Sequence, residues 1–259
     1  MFESYLWNTW LGGTIIALAA GVVGFFVVMR GDSFLAHAVP HGSFAGAALA
    51  SIFGVSSMAG MGAAAAATSI AAVTLGRRGK QDVVIALLLS FLLAGGSLVL
   101  SLGGAYANQV YGLLFGQVLA VSSSGLGVMA ICASLSVLAV VTMLRPLLAV
   151  SVLPGSRTAR GANRLALDIA FSLVLAAVTT ASVPVVGVLL LFSLLVAPPA
   201  AACELCRTPA RAMGLSCALC LFSIWASIAL SVMTDFPVGF FVASISTVIY
   251  VVARSVGHR

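Results

Sequence analysis

The chain has 259 residues, of which 62% are hydrophobic and only 7% charged, and its mean hydropathy is +1.21. A water-soluble domain carries about a quarter charged residues, so the composition excludes one, and the length leaves no room for a soluble domain beside the membrane part. In a soluble protein the net charge of +6 would raise nucleic acid as a partner; here it reads as short basic loops that orient membrane helices, with no nucleic acid implied.

About twenty apolar residues cross a bilayer core as a helix. Apolar runs of that kind predict an all-α, polytopic integral membrane protein of about nine spans, forming a single domain over residues 1–259. The predicted spans are 9–29, 33–54, 56–76, 82–103, 124–145, 165–183, 184–203, 212–233 and 237–254. Glu3 precedes the first run and no basic segment leads it, so the N-terminus is not expected to be a cleavable signal. Threading the chain from an outside N-terminus puts all twelve Lys and Arg, from Arg30 to Arg259, on one face and leaves Glu3 and Asp235 on the other. The positive-inside rule makes the basic face cytoplasmic, and the C-terminus with it.

Two stretches do not fit a plain span. "ANQVYGLLFGQVLAVSSSG" (107–125) is short and broken by Gly and Ser, and predicts a re-entrant or interfacial piece packed within protein. "RPLLAVSVLPGSRTARGANR" (145–164) is the longest basic loop and the natural dock for a cytoplasmic partner. Cys132, Cys217 and Cys220 fall inside apolar runs and read as small packing residues, whereas Cys203 and Cys206 at a helix end keep a metal or redox option; no disulfide framework is implied.

Several chemistries are excluded. "LGRRGKQ" lacks the first glycine and the Ser/Thr of a phosphate-binding loop, so the chain has no ATPase motif of its own. Ala, Val and Pro stand between His37 and His41, where a membrane metalloprotease needs its glutamate. Asp32, Asp82, Asp168 and Glu204 lie near span ends, which argues against an intramembrane relay of paired acids. The chain is therefore not expected to be an enzyme.

What remains is "HAVPHG" (37–42), which holds two of the three histidines. At i and i+4 the rings share one helix face and can both donate to a borderline metal such as Zn(II). The alternative is a pair of packing residues bonded to backbone carbonyls. Pro40 removes one backbone donor inside the helix, and Gly42 with Gly46 forms a GxxxG face for close helix approach.

On these residues the sequence resembles the membrane permeases of bacterial ABC importers for zinc and manganese. "VVMRGDSFLAHAVPHGSFAG" (27–46) lies without a gap against the family's early segment, with His41 in place of its histidine and His37 in place of its aspartate, both implicated there in metal passage. "YGLLFGQVLAVS" (111–122), "VPVVGVLLLFSLLVAPPAAACELCRTP" (183–209) and "LSVMTDFPVGFFVASISTVI" (230–249) resemble later family motifs, in order along the chain. The resemblance implies an importer permease architecture for a divalent transition metal, zinc first and manganese next, with the metal as substrate and no permanently bound cofactor. It also implies a second permease copy, a cytoplasmic ATPase, an extracytoplasmic metal-binding protein and surrounding membrane lipid. Residues Pro154, Arg157, Arg160, Gly161 and Arg164 occupy the family's ATPase-docking segment, without its acidic residue and with Arg157 where alanine is usual. Pro198–Pro199 replaces the family's Ile-Pro. Replacing aspartate by His37 turns a mixed oxygen and nitrogen site into two nitrogens, which favours Zn(II). Alternative readings are a permease for a chelated metal, or a secondary transporter that needs no ATP.

Overall fold

The computed structural model describes residues 4–77, 81–102, 112, 116, 123–152 and 164–257. Among these the regular structure is entirely helical: α1 (Ser4–Arg30), α2 (Ser33–Phe53), α3 (Ser57–Gly76), α4 (Gln81–Leu102), α5 (Ser123–Thr142), α6 (Leu144–Val152), α7 (Arg164–Val186), α8 (Val188–Leu205), α9 (Pro209–Thr234) and α10 (Val238–Gly257). Each of the nine predicted spans corresponds to a helix, and eight helices are long and apolar enough to cross a membrane. The exception is α2, whose 21 residues reach about 31 Å, but whose two histidines, Pro40 and glycines lower its hydropathy. This is a multi-pass membrane protein.

Local chemistry sets the helix ends. Helix α1 closes in a Schellman motif: Gly31 takes φ +72°, its N–H donates to the Val28 carbonyl, and the Asp32 N–H donates to the Val27 carbonyl. Gly54 ends α2 in the same left-handed conformation at φ +64°. Pro209 opens α9 at the first-turn position where its missing N–H costs nothing.

Two boundaries differ from those read in the sequence. The break expected at Pro184 lies at Gly187, because Pro184 is accommodated in the last turn of α7 while the turn into α8 needs φ +85° with ψ 158°, a region open essentially to glycine. The basic loop also begins as a nine-residue helix, α6, rather than as irregular chain.

Helices α1, α2, α7 and α8 form the interior. Phe25, Phe26, Phe44, Phe171, Leu191, Leu194 and Leu195 are fully buried there, and the Phe26 and Phe171 rings meet edge to face at 6.4 Å between centroids. Helices α4 and α5 lie outside this core and expose Leu87, Phe91, Leu98, Ile131, Leu135 and Leu138, as suits helices solvated by lipid tails. Hydroxyls along the spans, such as Ser90, Ser136 and Thr180, donate to the carbonyl four residues back, which satisfies them without water.

Candidate functional site

Helix α2 is wedged among α3, α4, α7 and α8, and 14 of its 21 residues are buried. Small residues permit this. A Cβ on Gly42 would collide with the Thr68 side chain of α3, and one on Gly46 with the Gly60 carbonyl and Ala64. Gly60 answers from the other side, where a Cβ would meet Ala50 and the Gly46 carbonyl oxygen at 2.5 Å. On α4, Gly96 accepts the Phe44 ring, which would lie 2.7 Å from a Cβ. The two helices flanking α2 thus hold it at backbone contact distance.

The histidine pair sits in the first half of this helix. The His37 and His41 ring centroids are 4.8 Å apart, and the edge of the Phe192 ring on α8 packs against His37 at 4.5 Å. His41 is 3% exposed, and its Nδ1 lies 2.9 Å from the His37 carbonyl. A carbonyl only accepts, so this contact requires the proton on Nδ1 and leaves a lone pair on Nε2. An imidazole so anchored is the arrangement metal ligands use, and packing histidines make the same bond. His37 differs: its ring is half-buried, and its Nδ1 is buried with no hydrogen-bond partner among the described residues. Two nitrogens are an incomplete set, since no group of three or more His, Cys, Asp or Glu among the described residues could hold an ion.

The prolines have readable consequences. Pro198 and Pro199 leave the Leu194 and Leu195 carbonyls of α8 without intrahelical donors. The Cys220 Sγ of α9, itself fully buried, donates to Leu194 at 3.5 Å. The Leu195 carbonyl presses on Gly24 of α1, where a Cβ would also meet Pro199 Cγ at 2.7 Å. Freed backbone groups in a membrane helix need such neighbours. Pro40 likewise removes the donor that would serve the Ala36 carbonyl in α2.

At the basic end of the bundle, sequence reading missed a cluster. Arg30 Nε donates to Asp32 at 2.8 Å and Nη2 to Asp168 at 2.5 Å, and the guanidinium lies 5.0 Å from the centroid of the Phe171 ring. Burial pushes the Asp32 carboxyl up from its ordinary range, against the pull of the adjacent Arg30. The signal was present as single opposite charges at the ends of two spans, but their pairing joins positions 138 residues apart. Of the predicted docking residues, Arg164 opens α7, with its Nε 4.0 Å from Asp168, while Pro154, Arg157, Arg160 and Gly161 lie outside the described residues. The expected re-entrant piece 107–125 lies outside them too, apart from positions 112, 116 and 123–125. Gly116, at φ +72°, sits against the backbone of Val185, Val186 and Gly187 at the α7–α8 turn. All five cysteines are free. Cys203 and Cys206 stand at the end of α8, and among the described residues they have no companions of the kind a metal site needs.

Apolar helices long enough to span a bilayer, packed around one buried, histidine-bearing helix, make this a polytopic integral membrane protein. The chain belongs to the ABC 3 transport family, whose model matches residues 2–257. It is 29% identical over 204 residues, 78% of this chain and 72% of the relative, to the manganese transport system membrane protein MntC of Listeria monocytogenes. It is 26% identical over 243 residues, 92% and 91% of the two chains, to the high-affinity zinc uptake system membrane protein ZnuB of Buchnera aphidicola. In fold it is similar to PsaBC from Streptococcus pneumoniae, solved in complex with Fab, with a TM-score of 0.86 and 20% identity over 97% of this chain and 91% of that one.

Proposed function

We propose that this chain is the membrane permease subunit of an ATP-driven importer for a divalent transition metal, zinc ahead of manganese. The observation that carries the reading is the pair itself: two rings 4.8 Å apart on one face of a buried helix. The His37 Nδ1 has no hydrogen-bond partner among the described residues, and the Nδ1 anchor of His41 leaves its Nε2 lone pair free. Two neutral imidazoles suit zinc better than manganese, which prefers carboxylate. An incomplete donor set suits transport, because an ion must be held weakly enough to leave.

Two copies of the chain would enclose the path, each contributing His37 and His41, and so complete the coordination that one copy lacks. The segment 145–164, with Pro154, Arg157, Arg160, Gly161 and Arg164, would receive a cytoplasmic ATPase. Closure of the ATPases would then push this segment and re-aim the helices around the path. An extracytoplasmic metal-binding protein would load the opposite face, with the N-terminus outside and the C-terminus in the cytoplasm. The metal is cargo, and no resident cofactor is needed.

The test is a double His37→Ala, His41→Ala variant, co-expressed with its ATPase and reconstituted in vesicles. It should insert and co-purify with the ATPase at wild-type yield, while radiolabelled zinc uptake falls by at least roughly tenfold. Wild-type uptake by that variant overturns the site.

A further inference from the structure

Beside the Arg30 cluster lies a cavity of about 280 Å³ whose lining includes neither His37 nor His41. Its walls bring together Arg30 from the end of α1, Arg77 just past α3, and Arg164 at the start of α7, with Asp32, Gln81 and Asp168 between them. Three helices begin at this cavity: α2 just after Asp32, α4 at Gln81 and α7 at Arg164. Helix starts carry unpaired N–H groups and the positive end of the helix dipole. At α2 the N-cap Asp32 turns its side chain to Arg30 and makes no capping bond to the first-turn N–H groups.

The charges do not cancel. Both aspartates are committed to Arg30, whose side chain is only 9% exposed and whose Nη1 still has no acceptor among the described residues. Arg164 reaches Asp168 only at 4.0 Å with most of its side chain in the open, and Arg77 adds a third guanidinium at the rim. A cavity with surplus arginines and helix starts is built for an oxyanion. Arginine forks fit the tetrahedral oxygens of phosphate especially well. The volume is several times the roughly 30 Å³ of one water, enough for a phosphate group with its first waters.

We propose that this cavity is a binding site for a phosphate group, presented either by an anionic phospholipid headgroup of the adjacent leaflet or as free inorganic phosphate. The phosphate would seat among Arg30, Arg77 and Arg164 and tie the ends of α1, α3 and α7 together, beside the segment that precedes α7. This inference does not depend on the metal reading, and its test contains no transport measurement.

The full chain, purified and delipidated in a non-ionic detergent, is titrated calorimetrically with inorganic phosphate, with dihexanoyl phosphatidylglycerol, and with acetate at matched ionic strength. Saturable binding of phosphatidylglycerol, of phosphate, or of both is expected. Binding of the lipid alone identifies the headgroup as the occupant, and binding of phosphate identifies the free ion as one. Arg77→Gln removes a guanidinium at the rim and spares the buried Arg30 pairs, so it should weaken binding by about tenfold. Arg211→Gln on exposed α9 surface should leave binding unchanged. No saturable binding of either phosphate probe, acetate binding as tight as phosphate, or an unaltered Arg77→Gln affinity each overturns the site; the acetate result would instead mark a dock for a protein carboxylate.

Discussion

Helices α2 and α4 are neighbours of nearly equal length, 21 and 22 residues, and they are built on opposite principles. The apolar stretch of α4 has a mean hydropathy of 2.6, yet only 17% of it is buried within protein. Helix α2 falls below the hydropathy of every other spanning helix and is buried over two-thirds of its length. In this pair the more hydrophobic helix is the one lipid surrounds. Helix α1, at a hydropathy of 2.3 with 67% of its span buried, shows that a protein-packed helix can be nearly as apolar. Only a helix screened by protein can carry two imidazoles, a proline and closely spaced glycines at membrane depth, and that screening is the condition for a functional site there.

Glycine substitutions break this comparison most sharply. Gly46→Ala places a methyl group on the Gly60 backbone of α3 and should cost about 1–3 kcal/mol, read as a lower unfolding midpoint in detergent. Gly95→Ala in α4 meets nothing within 4 Å and belongs at the far end of the scale. There the better helix former should be neutral or stabilising by up to about 1 kcal/mol. If both substitutions cost the same, the division into a protein-packed and a lipid-packed helix is wrong.

Two further tests probe the interior. Asp168→Asn removes the negative charge of a largely buried ion pair while keeping an amide oxygen for the Arg30 Nη2, for a loss of up to about 3 kcal/mol. Asp32 still holds Nε and moderates that figure. A thermal midpoint unchanged by Asp168→Asn would show that the pair contributes nothing. The smaller effect is Cys220→Ala, which returns the Leu194 carbonyl to its orphaned state and should cost roughly 1 kcal/mol. Cys132→Ala in peripheral α5, where the thiol is half-buried, should stay within about 0.5 kcal/mol. Equal losses for the two cysteines would remove the proline–thiol compensation from the account.

Much of the architecture was legible in the residues. The nine apolar runs anticipate the helices, whereas the meeting of Arg30, Arg77 and Arg164 around one cavity was not announced by any local pattern. The GxxxG spacing of Gly42 and Gly46 signals close helix contact, and the partner is α3. The i, i+4 histidines signal a shared face, which the ring separation of 4.8 Å describes. The Pro184 boundary was misplaced because a proline in a last helical turn costs little, whereas the conformation of Gly187 is visible only in three dimensions.

The amino-acid sequence by itself determined that this is a helical membrane protein, where its helices run and which helix carries the imidazoles. Those properties are sums of single-residue transfer energies and of contacts within one or two helical turns. Only the tertiary structure decided that Phe192 closes on His37, that Cys220 and Gly24 attend the carbonyls freed by Pro198 and Pro199, and that Arg30 finds Asp168. Each of these joins helices far apart in the chain. Nothing local selects such partners; they are chosen by how the whole bundle packs.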